Sequence, residues 1–319
     1  MLNELVRTTF ACNQKCIFCD VKETNNFEID ISEEEIINNI ITLQKKHKWN
    51  LEDVVLTLSW GEPLINRKIF KYIRFSRKLW FENIEIQTNW TFLFRRKKLI
   101  KELQEEWLNM LFLAYHSHKD EINKKMGIST NINEFLSRFN YIKRDKIDDK
   151  LQIVLNIVLT KQNVYIIDEY VKFLLTNWII ESLFRRELNV WFVYPNWNAR
   201  NNRFYTLLDF NRKQIKKIKK MINLCKENNI DLNFGFSLPP FCVLDYPEYS
   251  DDYNAKINEE NFTKNTKRVS IEKTKISFCN NCHYKSYCDW FNRNFLDFMW
   301  GKSSIKKIIY NNYLFWKQL

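Results

Sequence analysis

The strongest constraint on the fold is a regular alternation. Strand-like runs at residues 5–11, 54–58, 84–88, 111–115, 151–159 and 188–194 are each followed by an amphipathic stretch, at about 32–43, 67–80, 95–107, 133–143, 165–175 and 211–228. Short β-branched runs separated by helix-period segments cannot pair as hairpins; they build parallel strands with helices packed outside. The expected architecture is therefore α/β, with six βα units forming a partial (β/α)6 TIM-like barrel over residues 1–235. In such folds chemistry sits where strands end and the following loops begin. The helix at 32–43 opens on Ser32-Glu33-Glu34-Glu35, a capping-box pattern, and continues its apolar face through Ile36, Ile37, Ile40, Ile41 and Leu43.

Two features fall on that loop edge. Cys12, Cys16 and Cys19 follow the first strand as C-x3-C-x2-C, in a loop made polar by Asn13, Gln14 and Lys15. Structural zinc wants four protein ligands, usually as paired knuckles, and this compact trio has no fourth Cys or His nearby. An iron–sulfur cubane normally takes four cysteinates, so three leave one iron open to a substrate or cosubstrate. The second feature, Gly61-Glu62-Pro63, ends the second strand. Alone, that triplet is an ordinary strand-to-helix turn.

Together, the three-Cys loop with Phe18 before its last cysteine and the later Gly-Glu-Pro resemble the radical S-adenosylmethionine (radical SAM) superfamily. The resemblance implies a [4Fe-4S] cluster on Cys12, Cys16 and Cys19 that chelates SAM, donates one electron to its sulfonium and so yields a 5′-deoxyadenosyl radical that abstracts hydrogen from a substrate. It further implies anaerobic chemistry and an electron donor such as flavodoxin or ferredoxin. By the same resemblance Phe18, Gly61, Glu62, Pro63, Asn89, Ser117 and Asn156 are expected near SAM, with Glu62 holding its amino group. Thr88 and Thr160 lie at comparable strand ends, and His116 is a candidate substrate contact rather than an assigned base. No catalytic residue is assigned.

Past residue 235 the alternation stops. Pro239-Pro240-Phe241-Cys242 opens a turn-rich region, and Cys279-x2-Cys282-x5-Cys288 forms a second thiol cluster. Residues 236–319 resemble the twitch module, a shortened relative of the SPASM module, which implies an auxiliary [4Fe-4S] cluster on Cys242, Cys279, Cys282 and Cys288. Zinc, with Cys242 or His283 as fourth ligand, is the rival. Cys225, set among Met221, Ile222 and Leu224, reads as core packing.

The substrate expected from the twitch-like region is a peptide or protein side chain. The alternatives are a nucleotide, sugar or other small molecule, and, outside enzymes, a zinc-stapled protein binding nucleic acid. The N-terminus starts almost directly at the first strand, which counts against a leader-dependent peptide maturase. The net charge of +12 would suit an anionic partner, yet its basic residues are spread over helix faces such as Arg212, Lys213, Lys216, Lys217, Lys219 and Lys220, as on a solvated surface. Nucleic acid is not the expected partner. No apolar run reaches the length of a membrane span and no signal-peptide layout opens the chain, so a cytoplasmic location is expected. Eight cysteines in a chain of 319 residues read as reduced, metal-binding thiols rather than a disulfide framework.

One oddity concerns tryptophan. Trp60, Trp90, Trp197 and Trp290 stand where proteins of the resembling family have glycine, and the chain contains only 4 glycines. Tryptophan at tight turns strains the backbone or blocks a cofactor, which raises the expectation that these codons are read as glycine in the source.

Overall fold

The computed structural model describes residues 2–19, 31–96, 98–144, 151–192, 208, 210–234, 273–274, 279–280 and 291–292. Its core is one parallel sheet. Strands β1 (Leu2–Arg7), β2 (Val54–Ser59), β3 (Asn83–Thr88), β4 (Met110–Ala114), β5 (Gln152–Leu159), β6 (Glu187–Phe192) and β7 (Asp231–Asn233) lie side by side in chain order. Every neighbouring pair is parallel. Each crossover carries helix on the outer face while the strands curl around the inner one, and β2 is buried along its whole length.

The helices follow from their apolar spacing and caps. Helix α1 (Glu33–His47) begins where Ser32 accepts the Glu35 N–H at 3.1 Å, and it buries Ile36 and Ile40. Such a cap contributes about 1 kcal/mol. Helix α2 (Ile69–Lys78) covers β2 and β3 through Ile69, Tyr72 and Ile73. Helices α3 (Thr91–Arg95), α4 (Leu99–Glu105), α5 (Asp120–Lys125), α6 (Ile132–Arg144), α7 (Ile167–Thr176) and α8 (Arg212–Glu227) complete the outer layer. On α8, Ile218, Met221, Ile222 and Cys225 form one buried stripe at helical spacing, so Cys225 is a core residue as expected. Part of that helix's basic surface is neutralised internally: Lys217 and Lys220 hold the buried Asp168 of α7 at 2.7 and 2.9 Å.

Four details differ from the sequence reading. The first strand, expected at 5–11, runs over Leu2–Arg7, and residues 8–11 already belong to the loop. The sheet has seven strands instead of six, because β7 adds a short strand beside β6 that buries only Leu232. The helix expected over 95–107 is two helices, α3 and α4, and α3 starts earlier, directly after Trp90. Helix α5 was not expected at all; at six residues it is too short to show an apolar period.

Beyond β7 only fragments are described. β8 (Lys273–Thr274) pairs antiparallel with β9 (Phe291–Asn292). Cys279 is half-buried and packs against the core cluster. Cys242, Cys282, Cys288, His283, Trp197 and Trp290 lie outside the described residues, as does most of the segment assigned to a second domain. No helix among the described residues is long and apolar enough to cross a membrane.

Candidate functional site

The cysteine loop leaves β1 by prolonging its pairing: the Thr8 N–H reaches the Ser59 carbonyl at 2.9 Å. Three other loops then hold it. From the end of β2, the Glu62 N–H donates to the Ala11 carbonyl at 2.8 Å, and Gly61 lies so close that a Cβ would stand 2.4 Å from that same oxygen. Only glycine allows this approach, and its φ of +59° is in the left-handed region. From the end of β3, Asn89 Nδ2 donates to Asn13 Oδ1 at 2.8 Å and lies 3.7 Å from Cys12 Sγ. From the turn between α5 and α6, Gly127 and Met126 carbonyls accept the Lys15 and Ile17 N–H groups, each at 3.1 Å. A Cβ on Gly127 would meet the Lys15 oxygen at 2.0 Å.

Gln14 ties the same parts together from inside the loop. Its amide nitrogen lies 3.1 Å from Thr91 Oγ1 and 3.4 Å from Thr130 Oγ1, and its oxygen accepts the Ser129 N–H at 2.7 Å. Gln14, Thr91 and Gly127 were not among the expected site residues, since their partners are distant in sequence. A buried Gln in a polar loop and a lone glycine after a short charged run were the signals available.

The three thiols are half-buried and close enough to act on one another's ionisation. Burial, with smaller contributions from the Glu62 carboxylate and Cys19, pushes the Cys12 thiol up to about 11 against the stabilising Gln14 N–H. Burial and then the neighbouring Cys19 and Cys12 push Cys16 up further. Thiols that raise one another this way ionise when a bound metal supplies positive charge. No group of three or more His, Cys, Asp or Glu among the described residues converges on a single-ion site. Three cysteinates in one loop suit a cubane that keeps one iron open better than a closed tetrahedral zinc site, which takes four protein ligands. The donor set therefore fits the cluster implied by the sequence.

Glu62 is fully buried. Its Oε1 accepts the Leu64 N–H at 3.1 Å and the Thr88 hydroxyl at 2.7 Å, and its Oε2 accepts the Asn89 N–H at 2.7 Å. Burial outweighs these bonds and raises its carboxyl to about 7. The carboxylate thus locks the β2 and β3 loops together beside Cys12. Pro63, also buried, starts the short turn that Glu62 caps.

Of the remaining expected residues, Phe18 belongs to the cysteine loop, His116 and Ser117 follow β4, Asn156 lies in β5 and Thr160 follows it. Phe18 packs edge-on against His116, with ring centres 5.0 Å apart. His116 Nδ1 accepts the Val158 N–H at 3.1 Å, and burial lowers its ionisation to about 3, so the imidazole is neutral with its other nitrogen protonated. The Ser117 hydroxyl accepts the Lys119 N–H at 2.9 Å, and Thr160 is engaged by Asn163, so both serve their own loops. Asn156 differs: its Oδ1 is buried without a hydrogen-bond partner. A buried acceptor with no protein partner is what a site for a hydrogen-bonding ligand presents.

The alternation along the strands also lines the inner face with polar groups. Glu85 Oε1 lies 3.0 Å from Thr57 Oγ1 and 3.3 Å from Gln87 Nε2, and Ser59 donates to Gln87 at 2.6 Å. Burial raises the Glu85 carboxyl from 4.5 to about 7, opposed by Thr57 and Gln87 and assisted by the negative Glu187. A carboxyl raised on folding stabilises fully below its unfolded value and loses that contribution as pH rises through its folded value. Glu85→Gln is therefore expected to be neutral near pH 4 and, by pH 8, to gain on the wild type by about 3 kcal/mol at most. Denaturant titrations at both pH values check this; a gap between the two proteins that does not change with pH refutes it.

A family model described as Radical SAM superfamily matches residues 6–174, just over half of the chain. Among curated proteins, the probable GTP 3′,8-cyclase of Saccharolobus solfataricus is 25% identical over 158 residues, covering 50% of this chain and 48% of that one. The GTP 3′,8-cyclase of Limosilactobacillus fermentum is 27% identical over 143 residues, covering 42% and 40%. The chain thus spans about half the length of the curated relatives it matches, or less. A solved structure of native anSMEcpe with bound AdoMet superposes with a TM-score of 0.61 at 15% identity, covering 98% of this chain and 96% of that one. The hydrogenase maturase HydG of Carboxydothermus hydrogenoformans gives 0.54 at 14%, covering 76% and 55%. At these identities the structures speak for the fold alone.

Proposed function

The chain belongs to the radical SAM superfamily, and we propose that it is an enzyme that cleaves SAM reductively and directs the resulting radical at a substrate in the mouth of the partial barrel. The observation that carries this reading is the Cys12, Cys16, Cys19 loop, clamped at the strand edge by three other loops. A [4Fe-4S] cluster held there, with SAM, supplies the electron and the hydrogen-abstracting carbon radical.

The chain's own residues do the positioning. Asn89 fixes Cys12 and Asn13, while Glu62 fixes Asn89. Asn156 Oδ1 offers an acceptor to a donor on SAM, and the Phe18 and His116 rings wall one side. With Nδ1 already accepting the Val158 N–H, the neutral His116 ring has no free lone pair to offer and serves as a wall of the site.

For the substrate, the relatives named GTP 3′,8-cyclase favour a nucleotide. The preference rests on those relatives, since Glu85 and Gln87 on the inner face are engaged with Thr57, Ser59 and each other. No observation favours the peptide or protein side chain expected from the twitch-like motif. The zinc-stapled nucleic-acid binder is disfavoured by the same open thiol trio.

We assign the C-terminal segment, 236–319, to a twitch-like module with a second [4Fe-4S] cluster on Cys242, Cys279, Cys282 and Cys288. Two observations support it: β8 and β9 pair across the segment that contains the last three of these cysteines, and Cys279 packs against the core. Flavodoxin or ferredoxin would serve as electron donor.

Anaerobic reconstitution tests these assignments. The protein is expected to bind about eight irons per chain, as two cubanes, and to release 5′-deoxyadenosine with a reductant. GTP should increase that release. Absence of stimulation by GTP rejects the nucleotide reading alone, whereas one zinc with only about four irons rejects the auxiliary cluster.

A further inference from the structure

We infer that the working polypeptide carries glycine at positions 60, 80, 90, 107 and 178, the source decoding as glycine the codons written as tryptophan there. The inference is independent of the proposed function and rests on backbone conformation. Trp60, Trp80, Trp90, Trp107 and Trp178 have φ values of 80°, 71°, 70°, 75° and 57°. An L-residue in the left-handed region crowds its Cβ against the carbonyl oxygen, and a bulky aromatic has no compensating local hydrogen bond of the kind Asn or Asp makes. Five tryptophans in that conformation within one chain point to a common cause.

Three of them stand at the same place in the same motif. Helices α2, α4 and α7 each end one residue before a cap, and the tryptophan comes next. Its N–H donates three residues back, to Arg77, Gln104 and Leu175 at 3.0, 2.8 and 3.0 Å. The following residue donates five back: Phe81 to Ser76, Leu108 to Leu103, and Ile179 to Leu174, at 3.2, 3.1 and 2.9 Å. Those following residues, Phe81, Leu108 and Ile179, are buried. This is the Schellman termination, whose left-handed position is the one most often filled by glycine. The same chain shows the rule: α5 ends identically, and there the position is Gly127, with φ +79°. At the end of α8 it is Asn229, the next most tolerated residue. The tryptophans gain no burial in exchange, being 76%, 61% and 67% exposed at 80, 107 and 178.

Trp60 and Trp90 flank the cysteine loop. Trp60 precedes the left-handed Gly61, so two consecutive residues need glycine's conformation. Both indole Nε1 groups are buried without a partner. Trp60 also covers the Arg7 guanidinium at 4.3 Å, at the mouth of the barrel. Position 90 is the most demanding, because its ring packs on Phe94, Phe135 and Phe139. Trp191 provides the contrast: it lies in β6 with ordinary strand backbone and meets Phe112, and it remains tryptophan.

Peptide mass spectrometry on the protein purified from its source tests the inference directly. Peptides spanning 60, 80, 90, 107 and 178 are expected to carry glycine, with tryptophan retained at 191. Tryptophan at the five positions overturns it. A second measurement needs only recombinant protein. Trp80→Gly, Trp107→Gly and Trp178→Gly are each expected to raise Tm by about 2–4 °C, because a left-handed residue loses its Cβ strain. The three shifts should add, the sites being on separate helices. A lower Tm in these variants means that tryptophan belongs there, and the inference falls.

Discussion

Replacing Cys12, Cys16 and Cys19 together by Ala is expected to abolish reductive SAM cleavage and to remove about four irons per chain, leaving those of the C-terminal site in place. Without the cluster no electron reaches the sulfonium, and no other residue described near the loop can supply one. The loop should keep its place in the variant, because what holds it is not the thiols: Gln14 bonds to Thr91 and Ser129, and the backbone of Lys15 and Ile17 bonds to the turn between α5 and α6. Loss of activity can thus be separated from loss of fold by circular dichroism. Uncoupled cleavage needs no substrate, so the measurement is 5′-deoxyadenosine from the anaerobically reduced protein. Undiminished product from a folded triple variant overturns the mechanism. Cys225→Ala is the control. That thiol is fully buried on α8, and its removal should cost some stability while leaving iron content and cleavage as they were.

The parallel sheet was legible because its strands are short, buried and rich in β-branched and leucine residues, as Val54–Ser59 is, each followed by a helix-period segment. Where burial is slight the signal fades. β7 has one buried residue, and α5 is a single short turn whose only marker is the glycine that ends it. The break between α3 and α4 was hidden because it falls in the basic run Arg95-Arg96-Lys97-Lys98, which contains no Gly or Pro to mark it. In the site, local spacing announced the thiols and the Gly-Glu-Pro turn. The clamps were not announced, since Gln14 meets Thr91 and Thr130 only once three loops have folded onto one edge. The polar alternation of Glu85 and Gln87 with Ile84 and Ile86 was present in the sequence, yet only the sheet's curvature gives it an inner face to line.

Glu62→Gln is expected to weaken SAM binding by about tenfold to a hundredfold while iron content stays unchanged. The sequence suggested that Glu62 meets the ammonium of SAM. The structure gives its carboxylate three protein donors first, from Leu64, Thr88 and Asn89. A glutamine amide must place its NH2 where one carboxylate oxygen now accepts. At the Oε1 position it would face two donors, so it should settle at the Oε2 position and confront the Asn89 N–H. That N–H then loses its acceptor, and the strand end carrying Asn89 shifts. Asn89 Nδ2 is what reaches Asn13 and Cys12, so the displacement arrives at the cofactor edge while all three proposed iron ligands remain in the chain. Thr88→Val isolates this route, because it removes one donor to Glu62 and leaves the carboxylate's charge in place. If Glu62 acts by holding Asn89, Thr88→Val weakens SAM binding too, by a smaller factor. If Glu62 instead contacts the ammonium directly, only Glu62→Gln does so. Equilibrium SAM binding and iron analysis on one preparation of each variant decide the matter, and unchanged affinity in Glu62→Gln with its cluster intact leaves the Gly-Glu-Pro turn with no part in binding SAM.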